Sequence, residues 1–186
     1  MGQMPRVSVP HQNIVLIGFM GSGKSTIGRL IAGRLGFQFV DTDALVVQRA
    51  GCEIAEIFQR DGEAGFRDHE TAALESLTHR DRCVIATGGG VIVRERNREL
   101  LRELGLVVLL HASEDAIFER VSRNSKRPLL QTENPRQTLA NLLAARRPLY
   151  EAAAQWTFDN TSAPHRVAAE AVIAEARRVF GWQPAS

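Results

Sequence analysis

The stretch Gly18-Phe19-Met20-Gly21-Ser22-Gly23-Lys24-Ser25 constrains this chain more than any other. It satisfies G-x-x-x-x-G-K-[ST] at every fixed position. Its surroundings are those the pattern needs. Asn13-Ile14-Val15-Leu16-Ile17 is a short apolar, β-branched run and reads as a buried strand. Downstream, Ile27, Leu30, Ile31 and Leu35 recur at helical spacing. Strand, glycine-rich turn and helix together place backbone N–H groups at the positive end of a helix, which suits phosphate oxygens. The pattern assigns Lys24 to the β- and γ-phosphates and the Ser25 hydroxyl to Mg²⁺. The expectation is a chain that binds a nucleoside triphosphate. Where the phosphate goes must be read elsewhere.

A length of 186 residues suits one α/β domain with a sizeable core. The net charge of +2 is too small to suggest a nucleic-acid partner. Cys52 and Cys83 lie far apart and form no C-x-x-C pair, which favours a reducing, cytoplasmic setting over a disulfide or zinc framework. The apolar runs are too short to span a bilayer. Residues 1–12 lack the apolar centre of a secretory signal and read as a loose tail, with a second tail at 182–186.

Strand and helix patterns then alternate, which predicts a parallel sheet covered on both faces. Phe37-Gln38-Phe39-Val40 is a strand that runs into Asp41-Thr42-Asp43. In open α/β sheets the carboxyl ends of the strands line the ligand crevice, so these carboxylates are placed to act, although either could simply cap the next helix. Helices are predicted at 44–49 and 53–58, a turn at 61–65, and a longer helix at 66–77. Within it, Arg67 and Glu70 share a face. The pattern alone favours an exposed ion pair over a guanidinium held for a ligand carboxylate.

Cys83-Val84-Ile85-Ala86-Thr87 is a third strand and ends in Gly88-Gly89-Gly90. Three glycines at a strand's carboxyl end imply that something approaches the backbone closely. Many phosphate-loop enzymes carry an acidic residue here to organise Mg²⁺, so that role passes to Asp41. A charged helix follows at 94–104, a strand at 106–110 ending before His111, and a helix at 114–121. Residues 122–136 are basic and weakly periodic, which suits a lid that excludes water from a phosphoryl transfer. A helix at 138–145 should break or kink at Pro148. A short strand at 156–158, a loop at 160–165 and a helix at 167–180 close the chain.

Taken together, Gly18 to Thr26, Asp41-Thr42-Asp43, Gly65-Phe66-Arg67 with Glu70, Gly88-Gly89-Gly90, Arg127-Pro128-Leu129-Leu130, and Arg146 with Pro148-Leu149-Tyr150 closely resemble the shikimate kinase family in order and spacing. The resemblance covers residues 13–180. It implies a three-layer α/β/α fold like that of nucleoside monophosphate kinases, with a five-stranded parallel sheet. It also implies one domain at 13–181, with a shikimate-binding region near 41–70 and a lid near 122–136. The implied reaction moves the γ-phosphoryl of ATP to the 3-hydroxyl of shikimate, on the chorismate route to aromatic amino acids.

Carried over to this chain, Gly21, Ser22, Gly23, Lys24, Ser25 and Thr26 hold ATP, Arg120 stacks on adenine, and Arg127 reaches the phosphates. Asp43 meets the shikimate hydroxyls as the candidate base, Arg67 and Arg146 clamp its carboxylate, and Gly88, Gly89 and Gly90 touch its ring. Ser25 binds Mg²⁺ directly, and Asp41 does so through water. Lys24, Asp43 and Arg127 are the catalytic group. The family precedent is a monomeric cytoplasmic enzyme with no nucleic-acid or membrane partner. A second adenine contact is expected in the loop after the fifth strand, although Thr161-Ser162-Ala163-Pro164-His165 lacks the usual basic or amide residue.

Two other readings remain. A related kinase could take another polyol acid such as gluconate, although the paired arginines favour shikimate. A non-catalytic sensor on the same fold is a reading of another class. Such a sensor should have lost Lys24, Asp43 or Arg127, and all three are present.

Overall fold

The computed structural model describes residues 11–123 and 132–182. Five strands, β1 (Ile14–Ile17), β2 (Gln38–Asp41), β3 (Cys83–Ala86), β4 (Leu106–His111) and β5 (Trp156–Asp159), form one sheet in the order β2-β3-β1-β4-β5. Every neighbouring pair runs parallel. Central β1 is wholly buried, as its unbroken apolar run requires of a strand covered on both faces. Edge strand β5 instead alternates between half-buried and exposed residues.

The period of two along β1 divides the core. Ile14 and Leu16 pack with Ile27 and Ile31 of α1 (Lys24–Leu35) and Val172 and Ile173 of α7 (His165–Phe180). Val15 and Ile17 face the opposite layer, with Leu74, Leu101, Ile117 and Leu139. Those residues belong to α3 (Ile54–Glu75), α4 (Glu95–Leu104), α5 (Glu114–Ser122) and α6 (Pro135–Ala153). A smaller cluster of Val46, Ile57, Phe66 and Ala73 joins α2 (Thr42–Ala50) to α3. The expected three-layer α/β/α architecture is present.

Two local expectations fail. The turn predicted at 61–65 is a single break inside α3. Gly62 alone leaves helical geometry, at φ 70° and ψ −172°, a conformation glycine tolerates and other residues resist. The break predicted at Pro148 does not occur, and α6 continues through it to Ala153. Proline removes one amide donor, and a helix packed into the core can absorb that loss. Tyr150 and Ala153, beyond the proline, are both buried.

The sheet order also locates the crevice. The chain leaves β1 towards β2 and leaves β3 towards β4, so the connections diverge between these neighbours. The glycine-rich loop follows β1, and the triple glycine follows β3. Ala86 is in register with both Leu16 and Asp41, which brings all three strand ends to one edge.

Candidate active site

The phosphate loop occupies residues 18–23, and Gly23 caps α1 at φ 93°, a left-handed geometry that explains the glycine there. Lys24 is buried, and its ammonium donates to the carbonyls of Gly18 at 2.8 Å and Phe19 at 2.9 Å. Ser22 is buried inside the loop, while Ser25 and Thr26 are exposed on the first turn of α1. The Ser25 hydroxyl donates to Asp41 Oδ2 at 2.9 Å, and Asp41 Oδ1 accepts the Asp43 amide at 3.1 Å. Asp41 therefore caps α2 and also faces the phosphate loop, so the two readings of this residue are compatible. A hydroxyl beside a carboxylate is an oxygen donor set that fits Mg²⁺, which takes few protein ligands when phosphates supply others.

Across the crevice, Asp43 sits at the start of α2. Burial, and then the neighbouring Asp41 carboxylate, raise its pKa above the ordinary 3.8, while Lys24 and Arg67 pull it back. The Arg67–Glu70 pair is not exposed. Arg67 and Glu70 are 8% and 3% exposed, and Arg67 Nη1 donates to Glu70 Oε2 at 2.5 Å. Only the other arm reaches outward, donating to Glu63 at 2.9 Å. Nothing in the i, i+3 spacing distinguishes a buried pair from an exposed one. What decides it is α3 packing beneath the β3 end.

The triple glycine has a specific geometry. A Cβ on Gly88 would lie 2.5 Å from Asp43 Oδ1, and one on Gly90 would lie 2.3 Å from Arg67 Nη1. A Cβ on Gly89 would come within 3.3 Å of the Met20 amide nitrogen. Two of the glycines thus make room for the site's own side chains, and the third lies against the phosphate loop. The Gly88 amide donates to Thr42 Oγ1 at 3.1 Å, which ties β3 to the start of α2.

On α6, Arg146 Nη1 donates to the Gly89 carbonyl at 3.4 Å, and its guanidinium lies 5.7 Å from the centre of the Phe19 ring. Tyr150 donates its hydroxyl to the same carbonyl. Burial raises the Tyr150 pKa, so the hydroxyl keeps its proton. The structure thus brings Asp43, Arg67, the glycine triplet and Arg146 together beside Lys24 and Ser25.

Arg120 occupies the other flank of the phosphate loop. It donates to the carbonyls of Gly21 at 3.3 Å and of Asn160 and Thr161 at 2.8 Å each. Residues 124–131, with Arg127 and most of the expected lid, lie outside the described residues.

Three residues of this region carry roles that the sequence reading did not assign. Tyr150 shares the acceptor of Arg146 at i, i+4 only because the helix continues through Pro148. Thr42, between the two carboxylates, accepts from the Gly88 amide, a partner 46 residues away. Asn160 meets Ser22 across a separation of 138 residues and left no local signal.

The sequence profile of the shikimate kinase family matches residues 20–177. A shikimate kinase of Thermodesulfovibrio yellowstonii is 46% identical over 168 residues, spanning 90% of this chain and 96% of the relative. One of Geobacter sulfurreducens is 52% identical over 146 residues, spanning 77% and 81%. Among solved structures, the Acinetobacter baumannii shikimate kinase in complex with shikimate superposes with a TM-score of 0.83. It is 41% identical and covers 91% of this chain and 93% of its own. A gluconokinase from Sinorhizobium meliloti shares the fold at a TM-score of 0.58 with 23% identity, covering 90% and 92%.

Proposed function

The chain belongs to the shikimate kinase family, and from that premise we propose which of its residues carry the family's reaction. The enzyme transfers the γ-phosphoryl of ATP to the 3-hydroxyl of shikimate, giving shikimate 3-phosphate and ADP, and it works with Mg²⁺. The observation that carries the residue assignment is the close approach of Gly89 to the phosphate loop, where a Cβ would lie 3.3 Å from the Met20 amide nitrogen. It sets an anion cradle and a pair of arginines against each other across one backbone junction.

Shikimate carries one carboxylate and three hydroxyls. Arg67 and Arg146 take the carboxylate through charge-assisted hydrogen bonds. Asp43 aligns the accepting hydroxyl and receives its proton as the O–P bond forms. A loose transition state asks for little early proton removal, so alignment is the larger part of its role. The glycine triplet lets the ring approach the backbone.

Lys24 and Arg127 neutralise charge on the transferring group, Arg127 being assigned through the Arg127-Pro128-Leu129-Leu130 segment alone. Gly21, Ser22, Gly23 and Thr26 hold the phosphates, and Arg120 lies beside the adenine. Ser25, with Asp41 through water, would hold Mg²⁺, which supplies charge neutralisation on the phosphates. We place the enzyme in the cytoplasm as a monomer. Free Cys52 and Cys83 support the compartment. Among the described residues no helix is long and apolar enough to cross a membrane.

A coupled ADP-release assay with ATP and Mg²⁺ tests the assignment, run with shikimate, with gluconate and without an acceptor. Turnover should require shikimate. A higher kcat/KM for gluconate, or ADP release independent of acceptor, would overturn it.

A further inference from the structure

Two consecutive carbonyls of the phosphate loop, Gly21 and Ser22, are held from outside the loop. Arg120 Nη1 donates to Gly21 O, and Asn160 Nδ2 donates to Ser22 O at 2.7 Å. The bracket closes on itself, because Arg120 Nη2 donates to the Asn160 carbonyl. The Asn160 backbone N–H in turn donates to His111 O at 2.7 Å, which fixes the residue to the end of β4. Asn160 is fully buried, and a Cβ on Gly23 would lie 3.2 Å from its Nδ2. The side chain is therefore packed directly against the Ser22–Gly23 peptide. Its orientation is unambiguous, since a carbonyl can only accept.

In a trans peptide the C=O and N–H point to opposite sides. Holding Ser22 O on Asn160 therefore turns the Gly23 N–H away from Asn160. The loop's own residues do not secure that orientation, because glycine at 23 tolerates either sign of φ. A flipped peptide would present an oxygen to an anion in place of a donor.

We propose that Asn160 is a positioning residue for the nucleotide, holding the Ser22–Gly23 peptide so that its N–H is available to a phosphate oxygen. It does so through Ser22 and does not itself touch the ligand. Asn160 Oδ1 has no partner among the described residues, so the side chain's bond there is the one to Ser22 O.

The proposal rests on nucleotide binding at this loop. The test is calorimetric titration of the full chain with ADP and Mg²⁺, beside titration with shikimate and the ligand-free melting temperature. Asn160→Leu keeps similar bulk and removes the donor. Asn160→Asp keeps the shape and presents only acceptors. ADP affinity should fall about tenfold in Asn160→Leu, the loss expected from one buried hydrogen bond. It should fall further in Asn160→Asp. The ligand-free melting temperature should drop by a few degrees in both variants, as loss of one buried hydrogen bond requires, while shikimate affinity measured below the melting transition stays near wild type. ADP affinity within twofold of wild type in both variants overturns the proposal. So does an equal fall in ADP and shikimate affinity below the melting transition, which would mark Asn160 as structural. A wild-type chain that binds no ADP defeats the nucleotide-site reading instead.

Discussion

Gly88 and Asp43 share one small volume: a Cβ on the glycine would lie 2.5 Å from the aspartate's Oδ1, with Glu70 Oε1 at 3.0 Å. Both obstructing atoms are side-chain ends, which can shift at low energetic cost. A methyl group here should therefore displace the carboxylate and leave the fold intact. Gly88→Ala is expected to keep its melting temperature within a few degrees and its ADP affinity unchanged. Its kcat should drop by about 10²-fold, the usual penalty for a reacting group misplaced by about 1 Å. Steady-state kinetics with a thermal melt decide it. Wild-type kcat would show that Asp43 has no need of this position.

The same carboxylate makes the site costly to stability. Burial and Asp41 raise the Asp43 pKa in the folded chain above its unfolded value, near 3.8. Folding then favours the protonated form. That contribution is complete below pH 3.8 and disappears as pH rises through the raised folded value. Ionised Asp43 consequently destabilises the protein at neutral pH. Asp43→Asn should melt above wild type at pH 7, with the gap closing as pH falls through that window. Its turnover should collapse. In the wild type, kcat/KM should rise with pH through the same window. Melting curves across pH check the sign, and a variant less stable at pH 7 would contradict it.

Arg67 and Arg146 are assigned to one ligand carboxylate, yet their removal should look different. Arg67 is 8% exposed and pairs with Glu70, itself 3% exposed. Deleting one partner of a buried pair costs about 3–5 kcal/mol, because the other charge is stranded. Arg67→Ala should thus lower the melting temperature by about 6–20 °C, at about 2–4 °C per kcal/mol for this size, as well as raise KM for shikimate. Arg146 is half-buried and leans on Phe19 and the Gly89 carbonyl. Arg146→Ala should raise KM for shikimate at least as much, with a small thermal cost. Equal thermal losses would mean that the buried pair is not the difference between them.

The phosphate loop and the five strands were legible because their signals are local: apolar runs, glycine spacing, a carboxylate just beyond a strand. Asp41, Asp43 and the triple glycine were legible as positions at strand ends. The partners of those positions were not. That Gly88 and Gly90 clear space for Asp43 and Arg67 depends on α2 and α3 meeting the β3 end. The burial of the Arg67–Glu70 pair has the same origin, and its i, i+3 spacing is common to exposed pairs. The rule that proline breaks helices hid the last turn of α6, where tertiary packing outweighs one missing amide donor.

That turn supports the last expectation. Because α6 continues through Pro148, Arg146 and Tyr150 lie one helical turn apart and donate to the same acceptor, Gly89 O. Tyr150 is buried and keeps its proton, so it is a permanent donor. Tyr150→Phe retains the ring and removes only that bond. The stability loss should be about 0.5–1.5 kcal/mol, since Arg146 still satisfies the carbonyl. Gly89 would then be anchored from one side only, so KM for shikimate should rise severalfold while KM for ATP stays put. Tyr150→Phe combined with Arg146→Ala should cost more stability than the sum of the single changes, because the half-buried carbonyl then loses both donors. A strictly additive double variant would show that the two side chains do not share Gly89.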